Sequence, residues 1–160
     1  MDVSALLKFR EIEPTDLEGA ADLLVEMQGH YRAHCPVRAE IIAGLGSRPT
    51  GTRILLALER DTIVGLACFS AVYPGPGLTS GYFLKELYVR TDQRGSGIGK
   101  MLMSRLAILA QSEGISRIDW TADIKDKRLQ QFYEALGGRA LPEKLFFRIS
   151  GSELTALADS

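Results

Sequence analysis

Leu87-Tyr88-Val89-Arg90-Thr91-Asp92-Gln93-Arg94-Gly95-Ser96-Gly97-Ile98-Gly99-Lys100 decides how this chain folds. An apolar run ends, glycines crowd the turn, and apolar residues resume at once with helical spacing at Ile98, Met101, Leu102, Leu106 and Leu109. The pattern is a strand, a tight turn and a helix. The first N–H groups of a helix lack intrahelical partners, and with the helix dipole they form an anion site. Gly95, Gly97 and Gly99 remove the Cβ atoms that would hold a pyrophosphate away from the backbone, while Arg94 and Lys100 add positive charge. Two nucleotide patterns fail on the letters. The dinucleotide fingerprint needs its third glycine where Lys100 stands. The P-loop needs glycine at Arg94 and a hydroxyl residue at Met101. The same glycines would equally serve a tight turn that binds nothing.

Upstream of this stretch, residues 54–58 and 63–69 are apolar runs separated by Glu59-Arg60-Asp61-Thr62, which reads as a hairpin. Pro74-Gly75-Pro76-Gly77 is a loop, and 82–89 is a third long strand. Residues 8–12 read as a first short strand. Thr15 to Glu18 reads as a capping box that opens a helix on Leu17, Ala20, Ala21, Leu24 and Met27. Pro36 breaks that region, and 37–45 is a second helix ending at Gly46. Downstream come a helix over 97–110, a strand over 117–122, a helix over 126–136 stopped by Gly137-Gly138, and a strand over 144–149. A second capping box, Ser150 to Glu153, starts a tail helix. Hairpins fill the first half and crossover helices the second, which predicts a mixed sheet within one α/β domain spanning 1–160.

Composition excludes several classes. The 160 residues carry 19 basic and 20 acidic side chains, a balance that argues against non-specific nucleic-acid binding. No apolar run approaches the roughly 20 residues of a membrane helix. The start, MDVSALLKFREIE, does not read as a signal peptide. Cys35 and Cys68 are too few for a disulfide-built domain and read as reduced thiols of a cytoplasmic protein.

Arg94-Gly95-Ser96-Gly97-Ile98-Gly99 resembles the acetyl-CoA signature of the GNAT superfamily, Q/R-x-x-G-x-G/A. A second stretch, Asp126 to Gly138 with Phe132-Tyr133 inside it, resembles the family's N-x-x-x-x-x-F-Y-x-x-x-G-A/F segment, with Asp126 in place of the usual Asn. The resemblance implies a mixed, mostly antiparallel sheet of six to seven strands flanked by about four helices, and acetyl-CoA as cosubstrate without a metal. It implies that the amides of Arg94, Gly95, Ser96, Gly97, Ile98, Gly99 and Lys100 hold the coenzyme diphosphate. Leu87, Tyr88 and Val89 would bind the pantetheine arm as an added strand. Phe132, Asp126 and Arg128 lie in the second cofactor segment, with Arg128 a candidate for the 3′-phosphate. Dimers are common in the family, and the last strand and tail helix are the interface elements a homodimer would use.

Acetyl transfer to an amine makes demands that these residues can meet. An aliphatic amine has a pKa of about 10 and must lose a proton before it attacks. The carbonyl becomes an oxyanion that needs a donor, which the resemblance places at the N–H of Leu87 or Val89. The leaving thiolate, of pKa about 8.5, benefits from an acid, and Tyr133 stands at the family position for one. Glu86, one residue before Leu87, is the candidate base. Without the motif, Tyr133 reads as a packing aromatic and Glu86 as a solvated strand residue.

The acceptor side falls between Gly29 and Gly51, with Gln28 just before it, Tyr31 and His34 within it as candidate substrate residues, and Lys85 beside Glu86. Residues 82–89, the Tyr-Pro-Gly loop and the ending Leu145-Phe146-Phe147-Arg148-Ile149 look most like the diamine and thialysine acetyltransferase branch. Lys85 stands where that branch often has a second acid, which disfavours a long polyamine. His30 and His34 share a helical face by spacing, but two ligands are too few for a metal site. The expected acceptor is a small-molecule primary amine. A protein or peptide acceptor, and a non-catalytic acetyl-CoA-binding module, are the alternatives.

Overall fold

A computed structural model describes residues 7–160. The described residues form two compact units, one reaching to Thr121 and the other Ala122–Ser160. In the first, the elements are β1 (Leu7–Glu11), α1 (Leu17–Tyr31), α2 (Arg38–Gly46), β2 (Thr52–Glu59), β3 (Thr62–Val72), β4 (Gly81–Val89), α3 (Ile98–Ser112) and β5 (Ile118–Trp120). The second holds α4 (Lys127–Ala135) and α5 (Gly151–Ala158).

The strands form one sheet in the order β1-β2-β3-β4-β5. The first four are antiparallel to their neighbours, while β5 runs parallel to β4. The mixed, mostly antiparallel sheet is therefore present. It has five strands among the described residues, not six to seven, and five helices accompany it, not about four. The missing strand is 144–149. Its letters, with Leu145, Phe146 and Phe147 in a row, favour a strand, but the segment has no strand assignment. β propensity measures fit to a half-buried pleated surface, so strand-favouring letters do not by themselves make a strand.

Alternation divides the sheet between two helical layers. Ile54, Leu56, Leu58, Leu66 and Tyr88 join Ala20, Ala21, Leu23 and Met27 of α1 and Leu45 of α2 in one buried cluster. On the opposite face, Phe69 and Tyr82 stack with ring centroids 4.9 Å apart. There Gly65 lets α3 come close: a Cβ at that position would sit 3.1 Å from Leu102 and 3.3 Å from Ile98. The start of α3 is thus held against β3 beside the end of β4. The β2–β3 hairpin turns through Arg60 and Asp61, both at positive φ, as a two-residue hairpin loop demands.

Two capping boxes expected from the letters do not form. Thr15 lies inside a 3-10 turn, Pro14–Asp16, that precedes α1. Asp16 serves that turn instead: it accepts the Glu13 N–H at 2.7 Å and is ion-paired with Arg10. At α5, Ser150 makes no side-chain cap, and the Glu153 carboxylate accepts from Ser152. In the second unit, α4 ends in two paired bonds, Gly138 N–H to Tyr133 C=O and Gly137 N–H to Glu134 C=O, both 2.9 Å, with Gly137 at φ 90°. This is the Schellman arrangement that a Gly-Gly stop serves.

Candidate functional site

The end of β4 offers a free edge. β5 pairs only with Tyr82, Phe83 and Leu84, so from Lys85 to Val89 that side of β4 has no strand neighbour among the described residues. The Arg90 N–H donates to Val64 of β3 at 2.9 Å. Backbone groups alternate sides along an antiparallel strand, so Tyr88 and Glu86 also face β3 and those of Leu87 and Val89 face the open edge. The Val89 carbonyl accepts from Arg94 Nε at 3.1 Å. The Leu87 amide and carbonyl and the Val89 amide remain on that edge for an extended ligand to pair with.

The turn that follows is shaped by its glycines. Residues Thr91–Gln93 make one 3-10 turn, and the chain then passes through Gly95 (φ 80°) and Gly97 (φ 87°) before α3 begins. Gly97 is the N-cap of α3, with no side chain to cap it. Nothing lies within 4 Å of where a Cβ on Gly95 or Gly97 would stand, so the face in front of the turn is open. Gly99 lies within α3, where its backbone is ordinary helix, and its value is the missing side chain. Ser96 donates to the Gln93 carbonyl and ties the turn to itself. Ile98 is buried and anchors the helix, while Arg94 and Lys100 are exposed. Arg90 is engaged by the Asp92 carboxylate at 2.6 and 2.7 Å. Arg94 lies over the Tyr88 ring, 5.0 Å from its centroid.

A β-bulge aims Glu86. Cys68 pairs with Glu86 but the next residue, Phe69, pairs with Leu84, which leaves Lys85 as the extra residue. Without the bulge, Glu86 would share the face of Tyr82 and Leu84. With it, Glu86 shares the face of Tyr88, against α1. Tyr31, the last residue of α1, donates its hydroxyl to Glu86 Oε2 at 3.5 Å, and Lys85 Nζ lies 3.3 Å from Glu86 Oε1. Partial burial first, then the Glu86 charge, push the Tyr31 hydroxyl above its ordinary pKa, so it stays a donor. The Glu86 side chain is 28% exposed. Burial raises the neighbouring Cys68 thiol, which keeps it protonated at neutral pH.

The other acceptor-side candidates are less closely gathered. Gln28 is half-buried on α1. His34 lies beyond the helix, because Arg32 at φ 52° caps α1, so the expected shared face of His30 and His34 does not exist. His30 instead lies against Tyr31 and Tyr88, at 5.3 and 5.9 Å between ring centroids. One residue was missed. Glu26 Oε1 accepts from the Tyr88 hydroxyl at 3.0 Å and from the Thr91 N–H and hydroxyl, each at 2.8 Å. An acid inside an amphipathic helix carries no sequence mark that distinguishes it from a solvated one.

Within the second unit, Asp126 caps α4, accepting the Leu129 N–H at 2.9 Å, so the Asp-for-Asn exchange leaves the helix start intact. Arg128 is exposed; Phe132 and Tyr133 are half-buried, with ring centroids 5.2 Å apart. Among the described residues, no group of three or more His, Cys, Asp or Glu side chains could hold a metal ion, and no helix is long and apolar enough to cross a membrane.

Comparison with known proteins gives the family. The sequence profile of the acetyltransferase (GNAT) family matches residues 17–138. An L-ornithine N5-acetyltransferase of Arabidopsis thaliana is 26% identical over 100 residues, 62% of this chain and 44% of that protein. A thialysine N-epsilon-acetyltransferase of Mus musculus is 28% identical over 133 residues, 78% of this chain and 68% of that protein. The chain thus spans less than half the length of the plant relative. Among solved structures, an integron cassette protein from the mobile metagenome of V. cholerae superimposes with a TM-score of 0.89 at 26% identity, covering 97% of this chain and 99% of that one.

Proposed function

The chain belongs to the acetyltransferase (GNAT) family, and on that premise we propose that it transfers the acetyl group of acetyl-CoA to the primary amine of a small molecule. The observation that carries the reading is the junction of the free β4 edge with an open, glycine-lined helix N-terminus. The amides from Gly95 to Lys100, with Arg94, hold the diphosphate of the cosubstrate. The edge groups of Leu87 and Val89 pair with its pantetheine amides. That leaves the thioester beside Glu86, where the bulge at Lys85 has turned the carboxylate to the α1 face.

In this mechanism Glu86 takes the amine proton, directly or through one water, and Tyr31 holds the carboxylate in place. The freed amine attacks the thioester carbonyl, and the N–H of Leu87 or Val89 donates to the oxygen as its charge develops. The C–S bond breaks, Tyr133 gives its proton to the departing sulfur, and the extra proton still on the acetylated nitrogen passes to the tyrosinate, directly or through water, which restores Tyr133. The role of Tyr133 rests on its place in the second motif. Asp126, Arg128 and Phe132 belong to the same segment, with Arg128 serving the 3′-phosphate.

The acceptor we propose is an amine that also bears a carboxylate. Lys85 beside Glu86 presents a cation and an anion together, which suits a zwitterion better than a polycation. The names of the ornithine and thialysine relatives point the same way. Gln28 and His34 stand as candidate acceptor-side residues on their place in the sequence alone. A CoA-release assay across diamines, ω-amino acids and peptides tests this. Fastest turnover on an ω-amino acid, lost in Glu86→Gln, is the expected result. Turnover on peptides alone would replace the reading with a protein acetyltransferase.

A further inference from the structure

Glu26 reaches from α1 to residues at the end of β4, 62 and 65 positions away in sequence, and one carboxylate oxygen gathers all three donors. Thr91 contributes both its backbone N–H and its hydroxyl, and it opens the turn that leads to Arg94 and the glycines. Tyr88 contributes its hydroxyl, and the ring of that same tyrosine is the surface on which the Arg94 guanidinium rests. Both supports of the anion-binding turn, its first residue and its arginine, therefore lead back to one side chain. Burial alone would raise the Glu26 carboxyl, but the bonds from Thr91 and Tyr88 outweigh it and hold it below the ordinary range, so the acceptor is charged at neutral pH. A half-buried anion at the first residue of an anion-binding turn works against affinity unless its own geometry is needed there. Three donors on one oxygen supply that geometry.

We propose that Glu26 is a positioning residue for the coenzyme: by holding Thr91 and Tyr88 it fixes the turn from Arg94 to Lys100 in its binding conformation. The inference rests on the reading of that turn as a coenzyme A site. Glu26 touches no reacting atom, so it acts on coenzyme binding and not on the chemical step. It also sits five residues before Tyr31, so α1 holds β4 at two places, Tyr88 through Glu26 and Glu86 through Tyr31.

The test is calorimetric titration of free coenzyme A into wild type, Glu26→Ala, Glu26→Gln, Tyr88→Phe and Thr91→Val, with steady-state kinetics and thermal melts of each. Hydrogen bonds to a charged acceptor predict that Glu26→Ala weakens coenzyme A by about 30-fold. Glu26→Gln keeps an oxygen but no charge, and should weaken it by roughly 5-fold. KM for acetyl-CoA should follow the affinity while kcat stays within about two-fold, as for lost ground-state binding. Tyr88→Phe and Thr91→Val should each weaken binding in wild type and do little in the Glu26→Ala background, as expected for one shared network. Unchanged coenzyme affinity in folded Glu26→Ala overturns the proposal, as does a loss of kcat with KM unmoved. If the alanine variant does not fold, unchanged affinity in Glu26→Gln, Tyr88→Phe and Thr91→Val together does the same. Wild type that fails to bind coenzyme A overturns the reading of the turn itself, a separate outcome.

Discussion

At Gly97 the backbone sits at φ 87° and ψ 0°, and the space where a Cβ would stand is empty. An alanine there meets no protein atom, so its effect on the fold is conformational strain alone. Forcing an L-residue into the left-handed region costs roughly 1–2 kcal/mol. For a chain of this size that lowers Tm by roughly 2–8 °C. Gly51 supplies a matched control: φ 89°, nothing within 4 Å, and a place in the turn before β2. Gly51→Ala should bring the same loss of Tm. The two variants part in coenzyme binding. The methyl group on residue 97 occupies the approach to the α3 amides, and losing one charge-assisted hydrogen bond, at about 1.5–3 kcal/mol, weakens coenzyme A by roughly 10- to 100-fold. Calorimetry on both variants, with melts run alongside, reads the two effects separately. Equal coenzyme affinity in Gly97→Ala and Gly51→Ala would refute the reasoning, because the open face of the turn would then have no part in binding.

Other perturbations probe the remaining parts. Tyr133→Phe should lower kcat by about 100-fold, the usual worth of a general acid, with the affinity for acetyl-CoA within two-fold; unchanged kcat removes Tyr133 from the mechanism. Lys85→Glu exchanges the cation beside Glu86 for an anion, so KM for a carboxylate-bearing amine should rise about 10-fold and KM for a simple diamine should fall; equal shifts for both would dismiss a zwitterionic acceptor. Asp16 is buried, and its hydrogen bond to Arg10 holds its carboxyl below the ordinary value. A lowered folded pKa contributes stability at pH above the unfolded value of about 3.9, and this is lost as pH falls through the lowered folded value. Denaturant unfolding of Asp16→Asn should therefore show a deficit of about 1.5–3 kcal/mol at neutral pH that shrinks below about pH 4; a deficit independent of pH would remove the charge from the explanation.

The order of elements was legible because punctuation and periodicity agreed. The Arg60-Asp61 hairpin, the Gly46 and Gly137-Gly138 stops and the strand–turn–helix at 87–100 are local features, and the chain folds locally as they dictate. The features that shape the site are not local. The bulge at Lys85 exists only in the pairing of β3 with β4, and a two-residue period drawn through Tyr82, Leu84 and Glu86 puts the carboxylate on the wrong face. The free edge of β4 depends on β5 ending after three residues, shorter than the six its letters suggested. Glu26 could not be singled out because its partners lie more than sixty residues away. His34 was joined to His30 by spacing alone, and one residue in the left-handed region, Arg32, undoes that spacing. Residues 144–149 have the letters of a strand and form none, because strand propensity is a fit to a pleated surface and not a property of the letters alone.

The most direct test is an amide NMR titration of the ¹⁵N-labelled protein with coenzyme A. The account predicts saturable shifts concentrated at Leu87, Val89 and Gly95 through Lys100, the amides of the β4 edge and the α3 start. Saturation with those amides unmoved would contradict it, and so would no saturation at millimolar coenzyme.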